Sequence, residues 1–458
     1  MLNNMGEANK EFSRREFLKR IGITSASAAA LIAINPMSIF VDDDRIDPIA
    51  AANGMTYRIQ RKSKDKVSLL GYGMMRLPNK NRRIDQELVN AEVRYALEHG
   101  VNYFDTSPHY VNNLSERSLG IALKESGFER KDFYIATKMS NFGEDEWSYD
   151  KSVELYHNSF KELQVDYIDY YLLHGVGMGG MDNLNNRFIN NGILKFLLKE
   201  RKKGKIRHLG FSYHGDVAVF DYLLANHKKY KWDFVQIQMN YVDWKHAQDM
   251  NKRNVNAEYL YSECEKRGIQ TVMMEPLMGG RLAKIKDVYA NQLKSVRPDD
   301  TPAAWAFRFC GTQPNVLTAL SGMTTMEQLV ENVNTFSPLD PCTSDELLLL
   351  EEIASNMVAY PNIPCTNCKY CMPCPYGVNI PENFAFYNNC VNDGSLPPAD
   401  KSSSLYNEKK QAFVAKYKES IKDKELASVC VGCGECLSKC PQRIKIPDQM
   451  AKLTQLLD

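Results

Sequence analysis

Eight of the twelve cysteines fall in two short runs. The first holds Cys365, Cys368, Cys371 and Cys374 and ends in Pro375. The second holds Cys430, Cys433, Cys436 and Cys440 and ends in Pro441. Three thiolates spaced C-x2-C-x2-C wrap one corner of a cubane cluster, and the fourth cysteine, set before proline, ligates the other cluster of a pair. That crossing assigns Cys365, Cys368, Cys371 and Cys440 to one 4Fe–4S centre. It assigns Cys430, Cys433, Cys436 and Cys374 to a second. A disulfide framework disperses its cysteines through a small secreted domain. Zinc takes two pairs rather than a triplet plus one. Both alternatives fit this spacing poorly. The first run has two residues before Cys374 where three are usual, a departure that bears on the tilt of Cys374 or a potential but removes no ligand. Cys264, Cys310, Cys342 and Cys390 read as small core or surface side chains.

The elements that must carry this chemistry come next. A length of 458 residues allows two to four domains, and 44% hydrophobic content suffices for a barrel-sized core. A formal net charge of +1 argues against a nucleic-acid surface. The most basic spot, 199–207, reads as the solvated end of a helix stopped by Gly204.

From about Thr56 to Phe336, short apolar runs alternate with helical segments. Residues 67–75 read as a strand. The helix 85–99 carries Val89, Val93, Ala96 and Leu97 on one face and stops at Gly100. Further strands are expected at 101–104, 133–137, 168–173, 206–211, 234–238, 271–274 and 316–320. Eight βα units in this span predict a closed (β/α)8, or TIM, barrel. An open doubly wound sheet is the alternative, but no G-x-G-x-x-G opens a helix after the first strand. A connector helix at 345–358 follows, then a small α-rich iron–sulfur domain with a helix expected near 409–424.

Chemistry in such a barrel sits at the C-terminal ends of the strands. The second ends in Asp105, with Tyr110 five residues on; the third ends in Lys138 and the fourth in His174. On these residues, 56–336 resembles the aldo/keto reductase family, whose Asp–Tyr–Lys–His tetrad maps onto Asp105, Tyr110, Lys138 and His174. Residues 360–450 resemble bacterial two-cluster ferredoxins. The resemblance implies reduction of a carbonyl, or oxidation of an alcohol, with a nicotinamide cofactor. Tyr110 would be the acid in reduction and the base in oxidation. A free phenol titrates near about 10, and the Lys138 ammonium is expected to lower that. Asp105 would hold Lys138, and His174 would orient the carbonyl.

Further residues follow from the same resemblance. Glu116, with Leu119-Gly120, matches a family helix. Ser212 and Gln238 would hold the nicotinamide amide. Glu275 and Leu277 would lie over the pyrophosphate. Ser321, Gly322, Gln328, Glu331 and Asn332 would meet the adenosine end. The basic pair that surrounds a 2′-phosphate in NADP-preferring members is absent there, which favours NAD over NADP. Val111 replaces the usual glycine after the tyrosine. The loop 175–191, rich in Gly and Asn, shapes the pocket and reads as flexible.

Ser13-Arg14-Arg15-Glu16-Phe17-Leu18-Lys19 resembles a twin-arginine signal. The weakly apolar stretch 21–40 contains Pro36 and reads as a signal core, since a span needs ~20 strongly apolar residues. The expected division is 1–52 signal and linker, 53–340 barrel, 341–364 connector and 365–458 two-cluster domain. The expected protein is exported, periplasmic or membrane-associated. It acts on a small carbonyl or alcohol and exchanges electrons with a redox partner protein or membrane donor. The alternative is an electron-transfer protein whose barrel is a docking scaffold. Oligomeric state is not legible.

Overall fold

The computed structural model describes residues 49–50, 54–81, 83–250 and 254–458. The twin-arginine stretch lies outside them. The chain forms two compact units. One is Asp42–Ile285 with Asp299–Glu351, in its described residues; the other is Lys286–Pro298 with Glu352–Asp458.

In the first unit, eight parallel strands close into a barrel. They are β1 (Leu70–Gly73), β2 (Tyr103–Asp105), β3 (Tyr134–Met139), β4 (Ile168–Val176), β5 (Ile206–Tyr213), β6 (Phe234–Gln238), β7 (Gln270–Met274) and β8 (Val316–Ser321). Leu320 beside Gly71 completes the ring. Their residues are mostly branched or aromatic and buried, as parallel strands covered on both faces require.

The strand expected over 67–75 is two strands. Lys66–Ser68 pairs antiparallel with Thr56–Ile59, and only Leu70–Gly73 enters the barrel. Leu69 is the switch: its N–H donates to Thr56 O, while its carbonyl accepts from Ala319 N. Val67 thereby packs with Tyr103, Tyr170, Phe234 and Leu317 in the barrel core. An unbroken apolar run hides such a change of partner, because either sheet would bury it.

The helix Gln86–Glu98 is capped by Asp85, whose carboxylate accepts from Leu88 N at 3.2 Å. It buries Val89, Val93, Ala96 and Leu97, with Val89, Val93 and Leu97 each contributing roughly 1.5–3 kcal/mol. Gly120 lies where helices Ser115–Glu125 and Tyr149–Leu163 meet backbone to backbone; a Cβ there would sit 2.5 Å from Glu162 O. The basic run ends helix Ile193–Lys202, and Gly204 beyond it has φ +77°.

The second unit packs helices Asp287–Val296, Ile380–Asp393, Tyr406–Ser420 and Ile446–Leu457. Phe384, Phe386, Tyr387, Phe413, Tyr417 and Met450 form its core. The Tyr417 hydroxyl donates to Asn383 Oδ1 and accepts from Ala427 N at 2.7 Å. The helix expected near 409–424 is Tyr406–Ser420, and Ile380–Asp393 between the cysteine runs is additional. The connector is helix Ser344–Ala359. Among the described residues, no helix is long and apolar enough to cross a membrane.

Candidate functional site

Asp105 ends β2, Lys138 lies near the end of β3, and His174 near the end of β4, so parallel neighbours place them together. Lys138 Nζ donates to Asp105 Oδ1 at 2.5 Å and to Thr106 O at 2.7 Å. The ammonium sits 4.8 Å from the centre of the Tyr110 ring. That ring meets His174 edge to face at 5.8 Å. The four side chains therefore converge. Asp105 and Lys138 are buried, and Asp105 Oδ2 has no partner among the described residues, leaving a buried acceptor for a bound donor.

Charges follow from this packing. Burial opposes the Lys138 ammonium, but Asp105 and Tyr110 outweigh it and hold the pKa above its usual value. Burial pushes the Tyr110 phenol up, and Lys138 pulls it down by less, so the net pKa is raised. The expectation that Lys138 lowers it below that of a free phenol is corrected: removing a phenolate from water costs more than one ammonium, already shared with Asp105, returns. Tyr110 is thus a protonated donor. Burial, then Lys138, His214 and Arg187, hold His174 well below its usual pKa, so its ring is neutral. Its Nδ1 lies 2.6 Å from Ser140 Oγ. When that hydroxyl donates, Nε2 carries the ring proton.

The residues expected to bind a nicotinamide cofactor line the ends of β5 to β8. Gly210 lets β5 approach β6, since a Cβ there would collide with Phe234 O. Two residues on, Ser212 Oγ accepts from Gly175 N at 2.9 Å. Gln238 donates to Asp243 Oδ2 at 2.7 Å, and Asn240 to the same oxygen at 2.6 Å. Glu275 takes a left-handed φ of +56°, and its carbonyl accepts from Asn240 at 3.1 Å. Leu277 follows, half-buried, before a turn through Gly279 and Gly280. Asn332 donates to Ser321 Oγ at 3.0 Å, and Gln328 Oε1 accepts from Thr324 N at 2.9 Å. The Glu331 carboxylate accepts the Thr301 hydroxyl at 2.5 Å.

Several residues at this mouth had no sequence signal. Arg187 is buried between the Phe142 and Phe188 rings, 4.6 Å from each, and donates to His174 O at 2.8 Å and Asn141 O at 3.0 Å. It orders the loop 175–191, which holds a helix Gly180–Leu184 and a π-turn Asn185–Ile189 rather than the flexible coil expected from composition. Ser140 holds the His174 ring at Nδ1, and Asp243 gathers Gln238 and Asn240. Arg76, after β1, runs along Gly322: a Cβ on Gly322 would meet Arg76 Cβ at 3.5 Å, and one on Gly279 would meet its Nη2 at 3.9 Å. The Arg76 side chain therefore reaches between the loops after β7 and β8, where Glu275 Oε2 also lies near Gly279.

In the second unit, Cys365, Cys368, Cys371 and Cys440 line one hollow with Phe384 and Ile444. Cys374, Cys430, Cys433 and Cys436 line a second, and Cys371, Ile380 and Ile446 wall both. Burial pushes the Cys371 thiol up, and Cys365, Cys368 and Cys440 push it further. Burial, then Cys430, Cys433 and Cys371, do the same at Cys436. Thiolates that would repel one another in a shared hollow suit a cluster whose positive iron offsets their charge. Cys264, Cys310, Cys342 and Cys390 are buried elsewhere.

Residues 69–354 match the aldo/keto reductase family, and residues 364–444 match a 4Fe–4S dicluster domain. L-galactose dehydrogenase of Arabidopsis thaliana is 34% identical over 151 residues, covering 32% of this chain and 45% of that protein. Glyoxal reductase of Bacillus subtilis is 29% identical over 212 residues, 46% of this chain and 64% of that one. The chain thus spans from under half to nearly two-thirds of these relatives. Protein tas of Escherichia coli is 25% identical over 357 residues, 67% and 99% of the two chains. The holo form of an aldo-keto reductase from Bacillus halodurans superposes with a TM-score of 0.52 at 25% identity, over 65% of this chain and 96% of that one. A Klebsiella pneumoniae aldo/keto reductase in complex with NADP and acetate shares the fold, with a TM-score of 0.50 at 20% identity over 64% and 93% of the chains. With the family match running from β1 past β8, this chain belongs to the aldo/keto reductase family of oxidoreductases, and a 4Fe–4S dicluster domain follows its barrel.

Proposed function

We propose that the protein is an exported oxidoreductase that reduces a small carbonyl, or oxidises an alcohol, at Asp105, Tyr110, Lys138 and His174, and relays electrons through two 4Fe–4S clusters. The observation that carries the reading is the buried Lys138–Asp105 pair under the ring of a protonated Tyr110, beside a neutral His174. A nicotinamide held by Ser212, Gln238, Glu275 and Ser321 would supply or accept a hydride, and the two electrons of that hydride would match one electron at each of the two clusters. Tyr110 donates its proton to the carbonyl oxygen. Lys138 stabilises the phenolate left behind, and Asp105 keeps that ammonium in place. His174 donates from Nε2 to orient the substrate oxygen. In oxidation the proton returns to Tyr110.

Relatives named for glyoxal and L-galactose support a small polyhydroxy or carbonyl substrate. NAD is favoured over NADP because 321–332 carries no Lys or Arg and includes Glu327 and Glu331. The proposed division along the chain is 1–52 signal and linker, 53–340 barrel, 341–364 connector and 365–458 cluster domain, with Lys286–Pro298 of the barrel span belonging to the second compact unit. Ser13–Lys19 supports export by the twin-arginine route to the periplasm or a membrane surface. A redox protein or membrane donor would supply or accept electrons at the clusters.

The anaerobic, cluster-loaded chain is treated separately with NADH and NADPH while the visible cluster absorbance is followed. Bleaching by NADH is expected. No bleaching by either, in protein whose clusters dithionite does reduce, breaks the nicotinamide-to-cluster link, and substrate turnover that survives Tyr110→Phe overturns the tetrad.

A further inference from the structure

A cleft of about 800 Å³ opens beside the barrel mouth, walled by the loop after β1, the hairpin Asn79–Lys80/Arg83–Ile84 and the start of helix Ser115–Glu125. Three exposed arginines line it: Arg76, whose Nη2 reaches towards Gly279, Arg83 and Arg117. No Asp or Glu is among its described lining residues. Like charges around one concavity repel, and a low-dielectric wall strengthens that field. The helix adds to it. Arg117 stands in the first turn, where the dipole is already positive, Leu114 at the N-cap offers no side-chain acceptor, and the acidic residue of that turn, Glu116, is buried and bonded to Thr137. An anion in the cleft offsets all of these terms. The remaining wall includes apolar Leu77, Ile84 and Ile121, which suit a ligand with a carbon body and one charged end. Val111 and Asn112, which directly follow Tyr110 in the chain, are among its lining residues.

We propose that Arg76, Arg83 and Arg117 form an anion subsite that takes a phosphate or carboxylate carried on the non-reacting end of the substrate. This names a substrate class, an anionic carbonyl compound or its alcohol, and it rests on the catalytic reading above. Arginine is suited to the task because its planar fork meets either group with two parallel hydrogen bonds. The same chemistry is carried by the 2′-phosphate of NADP, and Thr324 at the cleft edge belongs to the segment assigned to the adenosine end, so the test separates the two sources.

The full-length, cluster-loaded chain is titrated calorimetrically with inorganic phosphate, NADH and NADPH. The double variant Arg83→Gln/Arg117→Gln is compared with wild type and with Lys202→Gln/Lys203→Gln, which removes equal charge elsewhere on the barrel. Saturable phosphate binding is expected in wild type and in the lysine control. It should weaken at least about tenfold in the arginine variant, the loss of one bidentate contact, with affinities for both nicotinamides unchanged. If the variant loses affinity for NADPH but not NADH, the anion is the cofactor's and the substrate assignment falls. If wild type binds no phosphate saturably, or the lysine control weakens as much, the subsite is overturned. Because binding is read directly, none of these results depends on turnover, and Tyr110→Phe tests the catalytic reading on its own.

Discussion

The tetrad and the cysteine loops are held in opposite ways. Asp105, Lys138 and their neighbours sit on strands whose apolar faces pack regardless of any ligand, so the charged pair is imposed on a finished core. The cysteine runs lie in turns and coil, between 361 and 379 and between 430 and 445, and most of their thiols are partly exposed. Only helices behind them, centred on Phe384, Phe413 and Tyr417, form a core. The barrel preorganises its site, as electrostatic catalysis demands. The loops are expected to draw their stability from their clusters, since ligation free energy becomes folding free energy where no preformed structure exists.

The largest effect expected from this contrast is at Cys371, which walls both hollows. Cys371→Ser should reduce bound iron and sulfide to well below half, while the barrel's thermal transition stays in place. Loss of only one cluster would show that the two sites are independent. Next is Tyr110→Phe. It should lower kcat by roughly 10²–10⁴, the usual worth of a positioned proton donor, with cluster absorbance unchanged. Full activity in that variant would remove Tyr110 from the chemistry.

Lys138→Met tests how firmly the core imposes the pair. It strands the Asp105 carboxylate in a buried site, and breaking such a pair costs about 3–5 kcal/mol. A denaturant titration that shows less than about 1 kcal/mol would mean the pair is effectively solvated. The smallest effect concerns pH. Burial raises the Glu116 carboxyl from its ordinary 4.5 to about 7. Well below pH 4.5 both folded and unfolded states are protonated there and no penalty exists. As pH rises towards 7 the unfolded chain ionises first, so folded stability falls, by on the order of 3 kcal/mol in total. Glu116→Gln should flatten that part of the stability–pH curve; an unchanged slope would place the titration elsewhere, with Glu92 the other carboxyl raised to about 7.

Much of the site was legible in order along the chain. Ligand spacing in the cysteine runs is a local property, and the two hollows pair Cys440 with the first triplet and Cys374 with the second, as the crossing pattern requires. Strand runs were legible because burial on both faces leaves unbroken apolar stretches. Gly120 and Gly210 sit in the motifs where backbone meets backbone. Other features were not legible. The break at Leu69 depends on hydrogen-bond partners as far apart along the chain as Thr56 and Ala319. Arg187 reads as one more basic residue until Phe142 and His174 close around it.

The sequence by itself determined which residue types stand at the strand ends and how the cysteines divide, because both follow from spacing along one chain. Only the tertiary structure decided the sign of the Tyr110 shift and the existence of the arginine cleft. Burial and the summed field of Lys138 and Asp105 are properties of packing. Arg76, Arg83 and Arg117 become one positive surface only when a strand end, a hairpin and a helix start are brought to the same wall.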